Sequence, residues 1–256
     1  MNIRQKLYRK LSYRLIKLKG YNKVSMEGQT CGIKLDSLGE AKAVFHIKKF
    51  ERRMVEGIIR PLDEGDVFLD VGANIGLISC LGAKGVGVPG SVVAVEPFRA
   101  NNRKLRDVLE FNEVENAQIV ESPLGRKEIK AKLESNEERT KVNGVVNLEL
   151  NQDGPMKAIP GDRIFRGSEV PKTINIDVEG AEGLVLQGLK ETIAKPKCRN
   201  IFMELHYPAS TIERNSMQSY GTKEKDIKEL LKSKGFTIET LTERTDEKHI
   251  LARKSE

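Results

Sequence analysis

The stretch VFLDVGANIGLISC, residues 67–80, decides how this chain is read. Five apolar-rich residues, VFLDV, have the length and composition of a buried strand. GANIG then makes a glycine turn, and LISC opens a helix. The missing side chains of Gly72 and Gly76 leave room for a close approach to that turn. What approaches is a question of spacing and charge. The spacing is G-x-N-x-G, whereas a dinucleotide loop takes G-x-G-x-x-G so that its second glycine admits a pyrophosphate. Asn74 occupies that second position, and no phosphate-cradling lysine follows. Asp70 sits in the strand just before the turn, where a carboxylate repels pyrophosphate and suits an ammonium or sulfonium group.

Outward from this unit the chain alternates. SVVAVE (91–96) reads as the next strand, RANNRKLRDVLEFN (99–112) as a helix and AQIVES (117–122) as a third strand. TINIDV (173–178), a helix over 181–193, and NIFMEL (200–205) resume the rhythm. FTIETL (236–241) and HILARK (249–254) read as a closing hairpin. Short strands alternating with helices over tight connections predict an α/β fold with a parallel sheet covered on both faces. Residues 126–160 interrupt the pattern: KEIKAKLES and VVNLELN alternate like an antiparallel pair about the polar loop NEERTKVNG (136–144). Residues 21–48 read as short strands with turns, and 50–62 as a helix. Glu96 ends the second strand, 20 residues after Gly76. A carboxylate accepts without donating, so one there can take both hydroxyls of a ribose. A ligand with a ribose, an amino group and a cationic centre, but no phosphate, is S-adenosylmethionine.

Bulk properties restrict the alternatives. The 256 residues suffice for one large domain with an appendage. No run of about 18 apolar residues occurs, so nothing in the sequence reads as spanning a membrane. Cys31, Cys80 and Cys198 form neither a CxxC pair nor a metal pattern, which predicts buried thiols in a reducing, cytoplasmic compartment. The net charge of +7 looks like a nucleic-acid signal until it is located. Residues 1–20, MNIRQKLYRKLSYRLIKLKG, hold seven Lys or Arg and no acid, which accounts for the whole excess. The body is neutral, which argues against RNA. Within the segment Ile3, Leu7, Leu11, Leu15 and Leu18 form one helical stripe. That stripe either packs on its own domain or dips into a lipid interface at the inner membrane face. The expected organisation is a basic amphipathic helix over 1–20 and one domain over 21–256, with a cofactor half over about 50–125 and an acceptor half over about 126–256.

The chain resembles the FkbM family of S-adenosylmethionine-dependent methyltransferases. The resemblance is carried by VFLDVGANIG (67–76), AVEP (94–97), NIDVEGAEGLVLQGL (175–189) and FMELH (202–206), in that order. Asn175 stands where the family usually has lysine, and no P-x-N follows Glu96, although Asn101 is near. The resemblance implies the class I methyltransferase (Rossmann-like) fold, a doubly wound, mostly parallel seven-strand sheet with its last strand antiparallel. It also implies methylation of a hydroxyl on a saccharide, glycolipid or natural product.

Ligands of open α/β sheets lie beyond the carboxyl ends of the strands, which sets the candidate residues. For the cofactor these are Asp70, Gly72, Ala73, Asn74 and Gly76 at the turn, Glu96 and Pro97 at the next strand end, Glu121 and Ser122 beside the adenine, and Glu51 at the methionyl end. For catalysis they are Asp177 and Glu179, which share one face, and Glu204 and His206 on the neighbouring strand. His206 is the candidate base, because an ordinary imidazole titrates at about 6.5. Asp177, Glu204 and His206 also offer a mixed oxygen and nitrogen ligand set for a metal, without a tight spacing pattern. An RNA methyltransferase, a nicotinamide-dependent oxidoreductase and a catalytically silent binding module are the competing readings.

Overall fold

A computed structural model describes residues 3–49, 51–134, 147–150, 153–208 and 215–255. Its centre is a seven-stranded sheet. The strands are β3 (Val67–Val71), β4 (Ser91–Val95), β5 (Ala117–Val120), β9 (Thr173–Ile176), β10 (Asn200–His206), β11 (Thr237–Glu243) and β12 (Glu247–Arg253). The spatial order is β11-β12-β10-β9-β3-β4-β5, and only β12 runs antiparallel to its neighbours. The order reverses between β3 and β9, the switch point at which such sheets bind ligands.

Each strand feeds two cores because successive side chains point to opposite faces. Phe68, Phe202 and Leu251 join the core beneath α4 (Leu77–Val86) and α5 (Arg99–Phe111). Leu69, Val71, Ile174, Ile176, Met203 and Leu205 join the core beneath α6 (Glu182–Gly188) and α7 (Glu224–Ser233). On the first face the apolar run stops toward the carboxyl ends of the strands. There it gives way to Asp70, Asn175, Glu204 and His206.

The N-terminal part differs from its sequence reading. Only residues 21–34 are strands, β1 (Tyr21–Met26) paired with β2 (Gln29–Lys34) in a hairpin; residues 38–49 are helix α2 (Leu38–Lys49), followed by α3 (Arg52–Ile59). The reason is a capping box. The Ser37 hydroxyl accepts the Glu40 N–H at 3.2 Å, and the Glu40 carboxylate accepts the N–H groups of Asp36 and Ser37. Ala41, Val44, Phe45 and Ile47 then bury one face of α2. Cys31 and Cys80, remote in sequence, are both buried in this core.

Residues 129–158 form a separate three-stranded antiparallel sheet, in the order β7 (Asn147–Leu150), β6 (Ile129–Glu134), β8 (Met156–Ala158). The predicted pair is therefore joined by a third strand, and its loop, 136–144, lies outside the described residues.

Helix α1 (Ile3–Leu18) rests on α2 by one side. The Arg9 guanidinium and the Tyr13 hydroxyl donate to Nε2 of His46, and the Tyr13 ring meets Phe45 edge-on at 5.2 Å. The opposite side, with Leu11, Leu15 and Leu18, is 58%, 53% and 81% exposed. The predicted stripe thus faces solvent rather than the domain over the residues whose side chains are described. No helix among the described residues is long and apolar enough to cross a membrane.

Gly72 holds the switch point together at φ +89°. A Cβ there would lie 1.8 Å from the carbonyl oxygen of Asp177. Gly28 also has positive φ, yet nothing lies within 4 Å of its Cβ position. We expect Gly28→Ala to cost about 1 kcal/mol, the left-handed strain alone. Gly72→Ala should cost about 3 kcal/mol or more, because β3 and β9 must separate. Urea denaturation of the two variants checks the difference; equal losses would contradict it.

Candidate active site

The bend after β3 is built by backbone. The N–H groups of Gly72 and Ala73 both donate to Val95 O at 3.0 Å, and Gly76 N–H donates to Ala73 O at 2.8 Å. Asn74 sits at φ +52°, the left-handed region, where a short amide side chain is tolerated. The space vacated by the two glycines goes to the protein itself. Asp177 O crowds Gly72, and Leu105 of α5 would sit 2.4 Å from a Cβ on Gly76. Neither glycine is therefore explained by ligand access alone. Gly76 packs the helix, while Gly72 and Asn74 line the cavities on both sides of the bend.

Glu96 closes the bend from β4. Its Oε2 accepts Asn74 N–H and its Oε1 accepts Phe98 N–H, both at 2.8 Å. The side chain is buried, and burial lifts the carboxyl to about 7 despite those two bonds and a third from Asn101. A carboxylate offers about four lone-pair sites. Glu96 thus faces a cavity with acceptor capacity remaining beyond those three bonds, toward which the hydroxyls of a vicinal diol can donate. Pro97, Phe98, Pro123, Leu124, Leu133 and Leu148 give that cavity an apolar slot for a flat ring. Leu133 and Leu148 come from the three-stranded insertion, which therefore walls this cavity.

A second cavity opens on the other side of the bend. Gly72, Asn74, Asp177 and Glu179 line both. Five carboxylates face the second cavity: Glu51, Asp177, Glu179, Glu204 and Glu247. Burial raises Asp177 well above the carboxylate range, and Glu204 and Glu179 add to the shift. Burial likewise lifts Glu204 to about 8, with Glu247 and Glu51 adding repulsion.

His206 lies among these acids. Its Nδ1–H donates to Oε1 of Glu182 at 2.5 Å, which turns Nε2 toward Glu204, Glu179 and Asp177 at 3.5, 3.6 and 3.9 Å. Burial opposes its charge, yet Glu182 and the other carboxylates hold the imidazole at about 10. In this state His206 is an imidazolium near neutrality, so the expectation of an ordinary imidazole ready to accept a proton does not describe it.

The remaining candidates divide. Glu51, Ala73 and Pro97 line one cavity or the other. Asp70 lines neither: it is fully buried, and its carboxylate accepts Ser79 Oγ–H at 2.5 Å and Asn175 Nδ2–H at 2.9 Å. Asp70 therefore pins α4 to β3 and β9. Asn175, in the position where the family usually has lysine, is its partner. Glu121 points outward and pairs with Arg106, and neither it nor Ser122 lines the cavity; Pro123 and Leu124 do. Glu247 and His249 were not anticipated. Their signal is a repeat of spacing: ELH (204–206) on β10 and EKH (247–249) on β12.

The donor set fits S-adenosylmethionine. Free carboxylate lone pairs meet a ribose, an apolar slot meets adenine, and carboxylates beyond the bend meet a sulfonium and an ammonium. Residues 70–238 match the methyltransferase FkbM domain. The hexuronic acid methyltransferase AglP of Haloferax volcanii is 24% identical over 206 residues, 80% of this chain and 77% of that protein. Among solved structures, a Klebsiella pneumoniae protein provisionally assigned as an O-methyltransferase superposes with a TM-score of 0.50 at 12% identity, over 81% of each chain. A Clostridium thermocellum protein provisionally assigned as an rRNA methylase does so with a TM-score of 0.50 at 12% identity, over 80% of this chain and 96% of that one. The two structures share the class I methyltransferase fold with this chain. The chain belongs to the FkbM methyltransferase family, and S-adenosylmethionine is its cofactor.

Proposed function

We propose that the protein methylates a hydroxyl of a saccharide. The observation that carries this reading is the shared wall of the two cavities. Gly72, Asn74, Asp177 and Glu179 border both, so a group held in the first can be presented to an acceptor held in the second. The cofactor supplies a methyl group already activated by its sulfonium. The chain contributes alignment and a destination for the proton. Glu96 and the apolar slot fix the nucleoside, and the carboxylates of the second cavity accept hydrogen bonds from sugar hydroxyls. Asp177, on the shared wall and in the ionised form that His206 favours, takes the proton of the hydroxyl as the C–O bond forms and the C–S bond breaks. His206, oriented by Glu182, opposes the upward shift of Asp177 and Glu204 and so favours their ionised forms. The neutral body and hydroxyl-binding carboxylates favour a saccharide over RNA, and the hexuronic acid methyltransferase among the relatives supports a glycan acceptor.

The outward stripe of α1 supports a position of this chemistry near a lipid surface. Leu11, Leu15 and Leu18 are exposed between Lys10, Arg14, Lys17 and Lys19, and the other side of the helix grips His46, which lines the acceptor cavity. Apolar side chains flanked by cations suit an anionic membrane interface, each cation adding about 1 kcal/mol. The acceptor would then be a lipid-linked saccharide in the cytoplasm.

Transfer of a labelled methyl group to candidate saccharides tests the activity. Asp177→Asn should lower kcat by about 100-fold or more while changing S-adenosylmethionine affinity by less than about threefold. Full turnover in that variant would remove Asp177 from the proton path. For the surface, the wild-type protein should co-sediment with phosphatidylglycerol vesicles, and Leu11→Glu/Leu15→Glu should not. Equal co-sedimentation of the two proteins would contradict the lipid contact.

A further inference from the structure

Strands β10 and β12 bring two copies of one pattern face to face. In their antiparallel register Glu204 lies opposite His249, and His206 lies opposite Glu247. Residues two apart on a strand share a face, so all four side chains converge on the side that carries the acceptor cavity. One ligating atom from each of Glu204, Glu247 and His249 lies within 4.8 Å of the other two.

His249 supplies an observation independent of this clustering. It is 3% exposed, and its Nδ1 is engaged by the Thr242 hydroxyl at 2.8 Å. Its Nε2 is buried without a hydrogen-bond partner, although Glu204 Oε2 is 3.1 Å away. An imidazole anchored through Nδ1 with a bare Nε2 aimed at carboxylates is the arrangement that metal ligation selects. His206, one step along the ladder, is likewise anchored through Nδ1, by Glu182, but its Nε2 is already paired with carboxylates. Glu204 stands between the two rings, Oε1 toward His206 and Oε2 toward His249. Among the described residues, the carboxylates facing this cavity outnumber the cations beside them, which are His206, Lys42 and Arg244. Lys42 lines the cavity opposite its five carboxylates, and Arg244 pairs with Glu247 from the β11–β12 turn.

We propose that Glu204, Glu247 and His249 hold one divalent cation at the floor of the acceptor cavity. Two carboxylates and an imidazole suit Mn²⁺, Fe²⁺ or Zn²⁺ better than Ca²⁺. Glu204 and Glu247 line the cavity, so the remaining coordination positions open toward it. Resting on the methyl-transfer reading, the ion takes adjacent sugar hydroxyls as ligands and offsets the carboxylate charge that meets them.

The test is Mn²⁺ binding to the chelator-stripped full-length protein, followed by electron paramagnetic resonance and calorimetry. The expected result is one saturable site per chain, weakened tenfold or more in His249→Gln and in Glu247→Gln. Should His249→Gln fail to melt cooperatively, Glu247→Gln at the cavity wall decides alone. Absence of saturable Mn²⁺ binding, or wild-type affinity in a folded variant, overturns the site. Calorimetry of the metal-free protein with S-adenosylmethionine is read separately. Loss of that signal with Mn²⁺ binding intact would count against the cofactor reading and leave the cation site standing.

Discussion

The rest of the site depends on one buried carboxylate bonded to two backbone N–H groups. Glu96 ends β4 and accepts from Asn74, on the bend after β3, and from Phe98, at the start of α5. Both parallel strands thereby end at a common height, and the bend keeps its left-handed residue in place. Burying a carboxylate is costly, and that cost lifts Glu96 from its ordinary 4.5 to about 7. The two N–H bonds offset part of it. What remains is an acceptor held rigidly where two strands diverge, with acceptor capacity left toward the cavity. A diol is a group that can use it.

Much of this was legible in the sequence, for physical reasons. Buried parallel strands must be apolar on both faces, so VFLDV, SVVAV and TINI stand out. A polar group breaking such a run has to be satisfied or used. Asp70 shows the ambiguity of that rule: the sequence marks it as special but cannot say whether it faces ligand or protein. Its bonds to Ser79 and Asn175 make it structural. Gly72 and Gly76 mislead in the same way, because a missing side chain signals a close approach without naming what approaches. The capping box over Ser37–Glu40 was readable but lay in a stretch whose alternation resembled strands. Glu121 was placed by strand position alone, and the chain turns it outward.

The acceptor side was less legible because it is assembled from remote segments. Glu51, Asp177, Glu204 and Glu247 come from four different elements, and no local spacing predicts their convergence. Their proximity changes their chemistry. His206 viewed alone is a base; enclosed by Glu182, Glu179 and Asp177 it holds its proton. A cavity crowded with carboxylates is poised for positive charge, whether from a sulfonium, an ammonium or a metal ion. Neutral hydroxyl groups are the acceptors that such walls can hydrogen-bond once that charge is present.

The most direct test of the central claim is the pH dependence of S-adenosylmethionine affinity. Glu96 titrates at about 7 in the free protein, and its ionised form is the one that accepts two ribose hydroxyls. Protonation therefore competes with binding: affinity is full above that value and is lost as pH falls through it. Calorimetry between about pH 8.5 and about pH 5.5 should show Kd rising about tenfold per unit on the acid side. Glu96→Gln should bind weakly with no such slope. A flat wild-type profile, or a Gln variant that binds as tightly as the wild type at the alkaline end, would contradict the claim that Glu96 grips the nucleoside.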